Sequence, residues 1–376
     1  MEHYLDNSAT TRVCPEAAEA AMDAMLNTYG NPSSTYTKGR EAKKLLDRSR
    51  KSVAAALGCD PSELVFTSCG SESDNWALIG GAEAMQRKGK HIITSLVEHD
   101  AIRNTAAELA RRGFEVTYLS PDSTGRIDPE QLRAALRPDT ILVSLMLVNN
   151  ETGAVTDISA VSRIIKEENS PALLHTDAVQ GFMKLDFTAK SLGADLVSVS
   201  GHKIHAPKGI GALYIRKGLR LRPFILGGAQ EDGRRAGTEA MPQIAAFGEA
   251  SRIAKAGLRE NSVHMRALKA ELMERLPAVI PDIQMLDTDA PHILSVALPG
   301  FRSEVLMNFL EAREIYVSRS SACRKGARSH VLEAIGMEPR LIDGALRIGL
   351  CRYNTMEDVD ALVTALGEAR RTLAHR

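Results

Sequence analysis

The sequence predicts an α/β fold in which a large, mostly parallel sheet is followed by a smaller α/β domain. Between residues 60 and 217, short apolar runs alternate with segments of helical periodicity. Strand–helix alternation of this kind is typical of a parallel sheet that is covered by helices on both faces. The length of 376 residues allows two or three domains.

Seven strands are predicted in the first part of the chain. Several of these runs are rich in β-branched residues and too short for helices. Helical periodicity between them predicts helices at 101–112, 129–136 and 157–168. The predicted strands are 64–67, 91–95, 115–119, 141–148, 172–177, 196–200 and 211–216.

The regular alternation stops near residue 226. A Gly-rich, charged stretch at 227–238 predicts a long loop, and long loops are often functional. One long helix is predicted at 243–275. The remaining elements indicate a second, smaller α/β domain: strand 292–298, helix 303–313, strand 315–320, strand 345–350 and helix 355–372.

The composition excludes several classes of protein. Apolar residues make up 44% and charged residues 25%, which is ordinary for a globular chain. Lys plus Arg equals Asp plus Glu at 47 each, so the net charge gives no support for a nucleic-acid partner. The longest nearly apolar run, 141–148, is far shorter than a membrane helix, and the first residues do not resemble a signal peptide.

The cysteines point to a reducing environment. Five are present, an odd and sparse set without a CxxC motif, which argues against a disulfide framework and against a zinc site. We therefore expect a cytoplasmic protein without a metal centre. In that setting a special cysteine is more often catalytic than structural.

A lysine follows the sixth predicted strand. Lys203 lies in the stretch Ser200–Gly211, a loop rich in Gly, Pro and His. Ligands of open α/β sheets bind beyond the carboxyl ends of the strands, and a lysine held partly neutral there can form a Schiff base. Taken alone, an exposed turn lysine is the better interpretation.

Two upstream strand ends carry what pyridoxal phosphate (PLP) would require. Asp177 ends the strand at 172–177, where a carboxylate could keep the ring nitrogen of PLP protonated. Gly70 and Ser71 follow the strand at 64–67 and precede a helix, as a phosphate cup would. An ordinary helix cap explains either site about equally well. Together with Lys203, however, they form a stronger signal than any one alone.

An ordered set of motifs resembles the cysteine desulfurase (NifS/IscS) family, which lies within the class-V aminotransferase-like enzymes of PLP fold type I. The set extends in the same order over about 340 residues, and chance does not produce so many matches in order. The matching stretches are YLDNSATT (4–11), GNPSS (30–34), FTSCGSESDN (66–75), EH (98–99), VNNETG (148–153), HTDAVQ (175–180), SGHK (200–203), RAGT (235–238), SAC (321–323) and LR (346–347).

The resemblance implies a role for each matched residue. Lys203 resembles the Schiff-base lysine, and His99 the histidine stacked on the ring that also handles protons. Asp177 matches the partner of the ring nitrogen, and Arg347 the clamp for the substrate carboxylate. The resemblance places Gln180 and Asn150 near the phenolic oxygen of PLP, and Asn150 also near the substrate. It places the phosphate among Gly70, Ser71, Ser200 and His202. It also implies a homodimer in which Thr238 of the neighbouring subunit reaches that phosphate.

The implied reaction converts L-cysteine to alanine and transfers its sulfur to Cys323 as a persulfide. The sulfur would then pass to an acceptor protein in iron–sulfur cluster assembly or in tRNA or cofactor thiolation. Cations near Cys323 in the sequence would favour its thiolate, although they could equally just solvate an exposed loop. We expect a large PLP-binding domain at 15–250, and a small domain at 1–14 and 251–376 that carries the Cys323 loop.

Two alternatives stay open on sequence grounds. One is a selenocysteine lyase or another class-V PLP enzyme, and the other is a PLP-bound scaffold that binds a sulfur acceptor without catalysis. The chain also departs from the family pattern at Cys69, where Gly is usual, at Gly349 and Cys351, and in a shorter loop after Cys323. We expect Cys69 to be a tolerated small residue, with a redox or sulfur-relay role as the less favoured interpretation.

Overall fold

A seven-stranded sheet forms the centre of the larger part of the molecule. The computed structural model describes residues 1–320 and 328–374. The strands are β2 Leu64–Thr67, β3 His91–Ser95, β4 Glu115–Leu119, β5 Thr140–Ser144, β6 Leu173–Asp177, β7 Leu196–Ser200 and β8 Gly211–Ile215. Their order is β2-β8-β7-β6-β5-β3-β4, and only β8 runs antiparallel to its neighbours. The predicted mostly parallel sheet is thus confirmed.

Helices cover both faces of this sheet. They are α1 Pro15–Leu26, α2 Thr37–Leu57, α3 Gly70–Met85, α4 Asp100–Arg111, α5 Pro129–Ala135, α6 Ile158–Glu167, α7 Ala189–Leu192 and α8 Met241–Ala256. Side chains alternate across each strand, so Ile92 and Leu142 join a core with Trp76 of α3. Ile93 and Val143 point to the opposite core. Because both faces of the sheet are buried, the sequences of its strands are nearly continuous apolar runs.

A four-stranded antiparallel sheet forms the second, smaller domain. Its order is β12-β13-β10-β9, with β9 Gln284–Leu286, β10 Ile293–Ala297, β12 Ser318–Arg319 and β13 Ala345–Gly349. The helices of this part are α9 Leu258–Val279, α10 Ser303–Glu311, α11 His330–Ala334, α12 Pro339–Asp343 and α13 Met356–Thr372. They enclose a core of their own, which includes Leu272, Leu294 and Leu366.

The N-terminal segment connects the two parts. Its strand β1 His3–Tyr4 pairs in parallel with β11 Ile315–Tyr316, and Leu5 is buried in the core of the smaller domain. A few residues later the Thr11 amide donates to the His202 carbonyl of the larger part, at 3.0 Å. This path agrees with placing residues 1–14 beside the smaller domain, while the boundaries at 14 and 250 stay predictions.

Three predicted elements differ from the structure. The strand predicted at 315–320 is two short strands in different sheets, since β11 pairs with β1 and β12 pairs with β13. The strand predicted at 141–148 ends at Ser144, although the next four residues remain buried and Leu147 still donates to the Asp177 carbonyl. The helix predicted at 243–275 is two helices, because the chain turns at Gly257 between α8 and α9. None of the helices in the described part of the chain is long and apolar enough to cross a membrane.

Candidate active site

A cavity of about 570 Å³ opens beyond the carboxyl ends of the parallel strands, where the smaller domain meets the sheet. Strand order explains why residues distant in sequence meet there, since β6 ends at Asp177 and β7 ends at Ser200. All but two of the residues predicted for the site line this cavity. Those that do are Gly70, Ser71, His99, Asn150, Asp177, Gln180, Ser200, His202, Lys203 and Arg347.

Lys203 is held in the cavity by backbone carbonyls. The strand β7 is followed by one tight helical turn, Gly201–Lys203, which directs the side chain inward. Its Nζ donates to the carbonyl oxygens of Ser8 at 2.5 Å and of Ala9 at 2.8 Å. Burial, assisted by the nearby Arg347 cation, lowers the pKa of Lys203 to about 7. Half of the amine is therefore neutral near pH 7, as a nucleophile requires.

Asp177 faces a second buried carboxyl, Asp74. The Asp177 Oδ1 accepts from the Val179 amide at 2.8 Å, and burial raises the pKa of both carboxyls. Asp74 Oδ1 has no hydrogen-bond partner among the described residues. Next to this pair, burial lowers the pKa of His175 to about 3, so its ring is neutral. A cation in front of Asp177 would offset the cost of ionising it.

The turn between β2 and α3 has the features of an anion cradle. Cys69 precedes α3 without capping it through its side chain, which leaves the first amides of the helix unsatisfied by a cap. A Cβ at Gly70 would lie 2.8 Å from Val179 Cγ2, so a larger residue does not fit. Opposite, the buried Ser200 hydroxyl has no hydrogen-bond partner in the described part of the chain. These donors fit the phosphate of PLP.

The two cavity histidines differ in their surroundings. His99 precedes α4, and its Nδ1 accepts from the Ala101 amide at 3.1 Å. A neutral His99 ring therefore carries its proton on Nε2. His202 contacts Thr10 Oγ1 through Nδ1 at 3.2 Å, and burial lowers its pKa to about 4. His202 is thus a neutral hydrogen-bonding group at physiological pH.

Arg347 presents a buried cation to the same cavity. Its guanidinium, on β13, donates to the Asn150 carbonyl at 2.8 Å and to Ser318 Oγ at 2.9 Å. Asp6 Oδ1 lies 3.3 Å from Nη2, and Nε is buried without a hydrogen-bond partner among the described residues. With its side chain only 4% exposed, this cation favours an anionic ligand such as a carboxylate.

Two of the predicted residues are not brought to the cavity. Thr238 is exposed on the long loop and does not line it. Cys323 lies outside the residues that the structure describes. Ser320 and Arg328, which flank that gap, do line the cavity.

Sequence reasoning missed several groups in the site. The carbonyls of Ser8 and Ala9 and the carboxyls of Asp6 and Asp74 were not assigned, although all four residues lie within motifs already singled out. Asp74 stands four residues after Gly70, one helical turn along α3, and this spacing could have placed its side chain on the cavity side.

Comparison with known proteins agrees with this architecture. The model of the aminotransferase class-V family matches residues 3–362. A cysteine desulfurase IscS of Methanosarcina thermophila is 44% identical over 97% of this chain and 91% of its own length. A cysteine desulfurase of a Nostoc species is 41% identical over 97% of this chain and 92% of its own length.

Solved structures give the same assignment. A NifS-like protein superposes with a TM-score of 0.94 at 40% identity and covers 99% of this chain and all of its own. A structure titled SspA in complex with cysteine superposes with a TM-score of 0.81 at 32% identity, over 94% of this chain and all of its own. The PLP fold type I predicted from the motifs is therefore confirmed, and the chain belongs to the cysteine desulfurases of the class-V aminotransferase family.

Proposed function

We propose that this chain is a PLP-dependent cysteine desulfurase that converts L-cysteine to L-alanine and passes the sulfur to Cys323. Family membership supports the cofactor and the reaction. The observation that carries the proposal is the meeting of Lys203, Asp177 and Arg347 in one cavity. These groups are an amine with a lowered pKa, a carboxyl suited to a ring cation and a buried clamp for a carboxylate.

The cavity offers a partner for each end of PLP. Lys203 would bind the aldehyde carbon, Asp177 the ring nitrogen, and His99 would lie over the ring. Gly70, Ser71, Ser200 and His202 would hold the phosphate, while Gln180 and Asn150 would lie near the phenolic oxygen. When bound, the cofactor supplies an electron sink for the charge that develops at the substrate α-carbon.

The protein's own groups then bind the substrate and move its protons. Arg347 would pair with the carboxylate of L-cysteine and fix the position of its α-carbon. The Lys203 amine would take the α-proton at Nζ, since a base whose pKa is near 7 is well matched to neutral pH. His99, whose Nε2 is free of the helix cap, would donate the proton that it carries there.

Sulfur transfer requires a thiolate at Cys323. Its sulfur would attack the substrate sulfur and form an S–S bond, while the C–S bond breaks. The electron pair of that bond stays on carbon, which gains a proton to give alanine. Since Ser320 and Arg328 line the cavity, the chain enters and leaves the Cys323 segment at the cavity wall.

The test is the variant Cys323→Ser, with Cys69→Ala as control because Cys69 also lines the cavity and alanine, unlike serine, cannot cap the free amides of α3. We expect Cys323→Ser to stay yellow with PLP and to release no sulfide from L-cysteine in the presence of thiol. The Cys69 variant should keep its activity. Sulfide release by Cys323→Ser would contradict the assignment. A wild-type protein that loads PLP but shows no spectral change with L-cysteine would favour the scaffold alternative.

We further propose a homodimer in which Thr238 reaches the cofactor phosphate of the partner subunit. Its exposed position, outside the cavity of its own chain, supports this arrangement. The same loop region exposes apolar side chains, with Phe224 at 41% and Leu226 at 69% exposure, as a subunit contact would. The proposed partner of the enzyme is a sulfur-acceptor protein in iron–sulfur cluster assembly or in thiolation. The proposed location is the cytoplasm, which agrees with the four free cysteines among the described residues.

A further inference from the structure

Two ion pairs of opposite polarity hold the loop that carries Thr238, one to Arg50 of α2 and one to the first turn of α3. Near its start, Glu231 lies 2.6 Å from Arg50 and also accepts from the Phe66 amide at 3.0 Å. Near its end, Arg235 pairs with Glu72 of α3. The second pair lies next to the proposed phosphate cradle, because Glu72 directly follows Ser71.

Glu72 is fully engaged by hydrogen bonds. Its Oε1 accepts from Arg235 Nε at 2.9 Å, and its Oε2 accepts from Arg235 Nη2 at 3.1 Å and from the Ser68 amide at 2.8 Å. Its side chain is only 7% exposed. Burial by itself would raise the pKa of Glu72, but the hydrogen bonds from Arg235 and Ser68 hold it below its usual value. The carboxylate is therefore charged.

A charged carboxylate is a poor neighbour for a phosphate. Negative charge in the first turn of a helix interacts favourably with the free amides and the positive end of the helix dipole. Glu72 and a bound phosphate therefore compete for the same amides and the same dipole. At a buried position little solvent screens the repulsion between the two anions. Arg235 supplies the one cation within ion-pair distance of Glu72 among the described residues. It thereby cancels the repulsion.

We infer that Arg235 is a positioning residue for the cofactor phosphate, which cancels the charge of Glu72 and fastens the loop of Thr238 to the phosphate cradle. This inference rests on the proposed function, since it assumes PLP in the cavity. It assigns Arg235 no contact with the cofactor. Its effect should therefore depend on Glu72, and it should be felt only by ligands that carry the phosphate.

The test compares two ligands on the apo-protein, PLP and pyridoxal, which lacks the phosphate. Dissociation constants are measured by absorbance titration for wild type, Arg235→Gln, Glu72→Gln and the double variant. We expect Arg235→Gln to weaken PLP binding by about tenfold or more, because a buried carboxylate loses its partner. Pyridoxal binding should change by less than about twofold, a difference under about 0.4 kcal/mol. Glu72→Gln should bind PLP at least as well as wild type, and the double variant should recover most of the loss.

The matched control is Arg234→Gln, which removes the same charge from the same loop. Arg234 Nη1 donates to the Ser62 carbonyl at 2.9 Å, away from Glu72, so this variant should bind PLP as wild type does. Circular dichroism and the solution mass of each variant verify that the fold and the subunit state are kept.

Three results would overturn the inference: unchanged PLP binding in Arg235→Gln, equal losses for PLP and pyridoxal, or no recovery in the double variant. A wild-type protein that binds PLP no better than pyridoxal would overturn the proposed function as well. The two failures are therefore distinguishable.

Discussion

The lowered pKa of Lys203 predicts the pH at which the apo-protein takes up PLP. The perturbation is a pH series, combined with two substitutions that act on Lys203 in opposite directions. The nearby Arg347 cation lowers the pKa of Lys203, and the Asp6 carboxylate raises it. We therefore expect Arg347→Gln to move the uptake midpoint to higher pH and Asp6→Asn to move it to lower pH.

The magnitude follows from the fraction of neutral amine. With a pKa of about 7, about one tenth of Lys203 is neutral at pH 6, one half at pH 7 and nine tenths at pH 8. A solvated lysine with a pKa of about 10.4 would be neutral in only about four molecules in ten thousand at pH 7. The uptake rate should thus rise about tenfold in total from pH 6 to pH 8 and then level off, instead of rising about tenfold per pH unit up to about pH 10.

The assay is stopped-flow absorbance of the yellow bound cofactor after mixing apo-protein with excess PLP. Ionisation of PLP itself affects wild type and variants alike, so the shifts between them report on the protein. A wild-type midpoint above pH 9, or the same midpoint in both variants as in wild type, would refute the reasoning. In the first case Lys203 would be solvated in the apo-protein, and in the second the two charges would not act on it.

Two further predictions concern the close packing and the subunit arrangement. Gly349→Ala places a Cβ 2.5 Å from the Ser8 amide nitrogen. It should therefore lower the free energy of unfolding, measured by denaturant titration, by about 1–3 kcal/mol. The control is Gly81→Ala in α3, whose Cβ would lie 3.5 Å from Leu142 and should not lower the free energy of unfolding. Thr238→Ala should weaken PLP binding, and mixing it with Lys203→Ala should produce heterodimers with one intact site. No recovery of tight PLP binding in the mixture would place Thr238 in the site of its own chain.

The order of strands and helices was predictable because burial leaves a local signal. Short apolar runs marked all seven strands of the large sheet, whereas their ends, their directions and their order in the sheet needed the structure. The run at 141–148 kept its apolar character beyond β5 because residues 145–148 are buried under other elements. Burial and strand pairing give the same sequence pattern, so hydropathy could not separate them.

The site was predictable where a side chain carries the chemistry. Lys203 and Asp177 stand at strand ends, and strand ends converge at one edge of a parallel sheet. The carbonyls of Ser8 and Ala9 are different, since any residue type offers a carbonyl and the contact bridges more than 190 positions. Asp74 lies between these cases: its carboxyl was visible in the sequence, but its burial opposite Asp177 depends on how α3 packs against the sheet.

The positions of Arg347 and Lys203 link substrate binding to proton transfer. In the absence of substrate, the Arg347 cation lowers the pKa of Lys203, which favours the neutral amine. A substrate carboxylate that pairs with Arg347 cancels most of that charge at the distance of Lys203. The pKa of Lys203 should then rise at the moment when its amine has to take a proton from the α-carbon. The same arginine would therefore both recognise the carboxylate and make the base stronger only when a substrate is present.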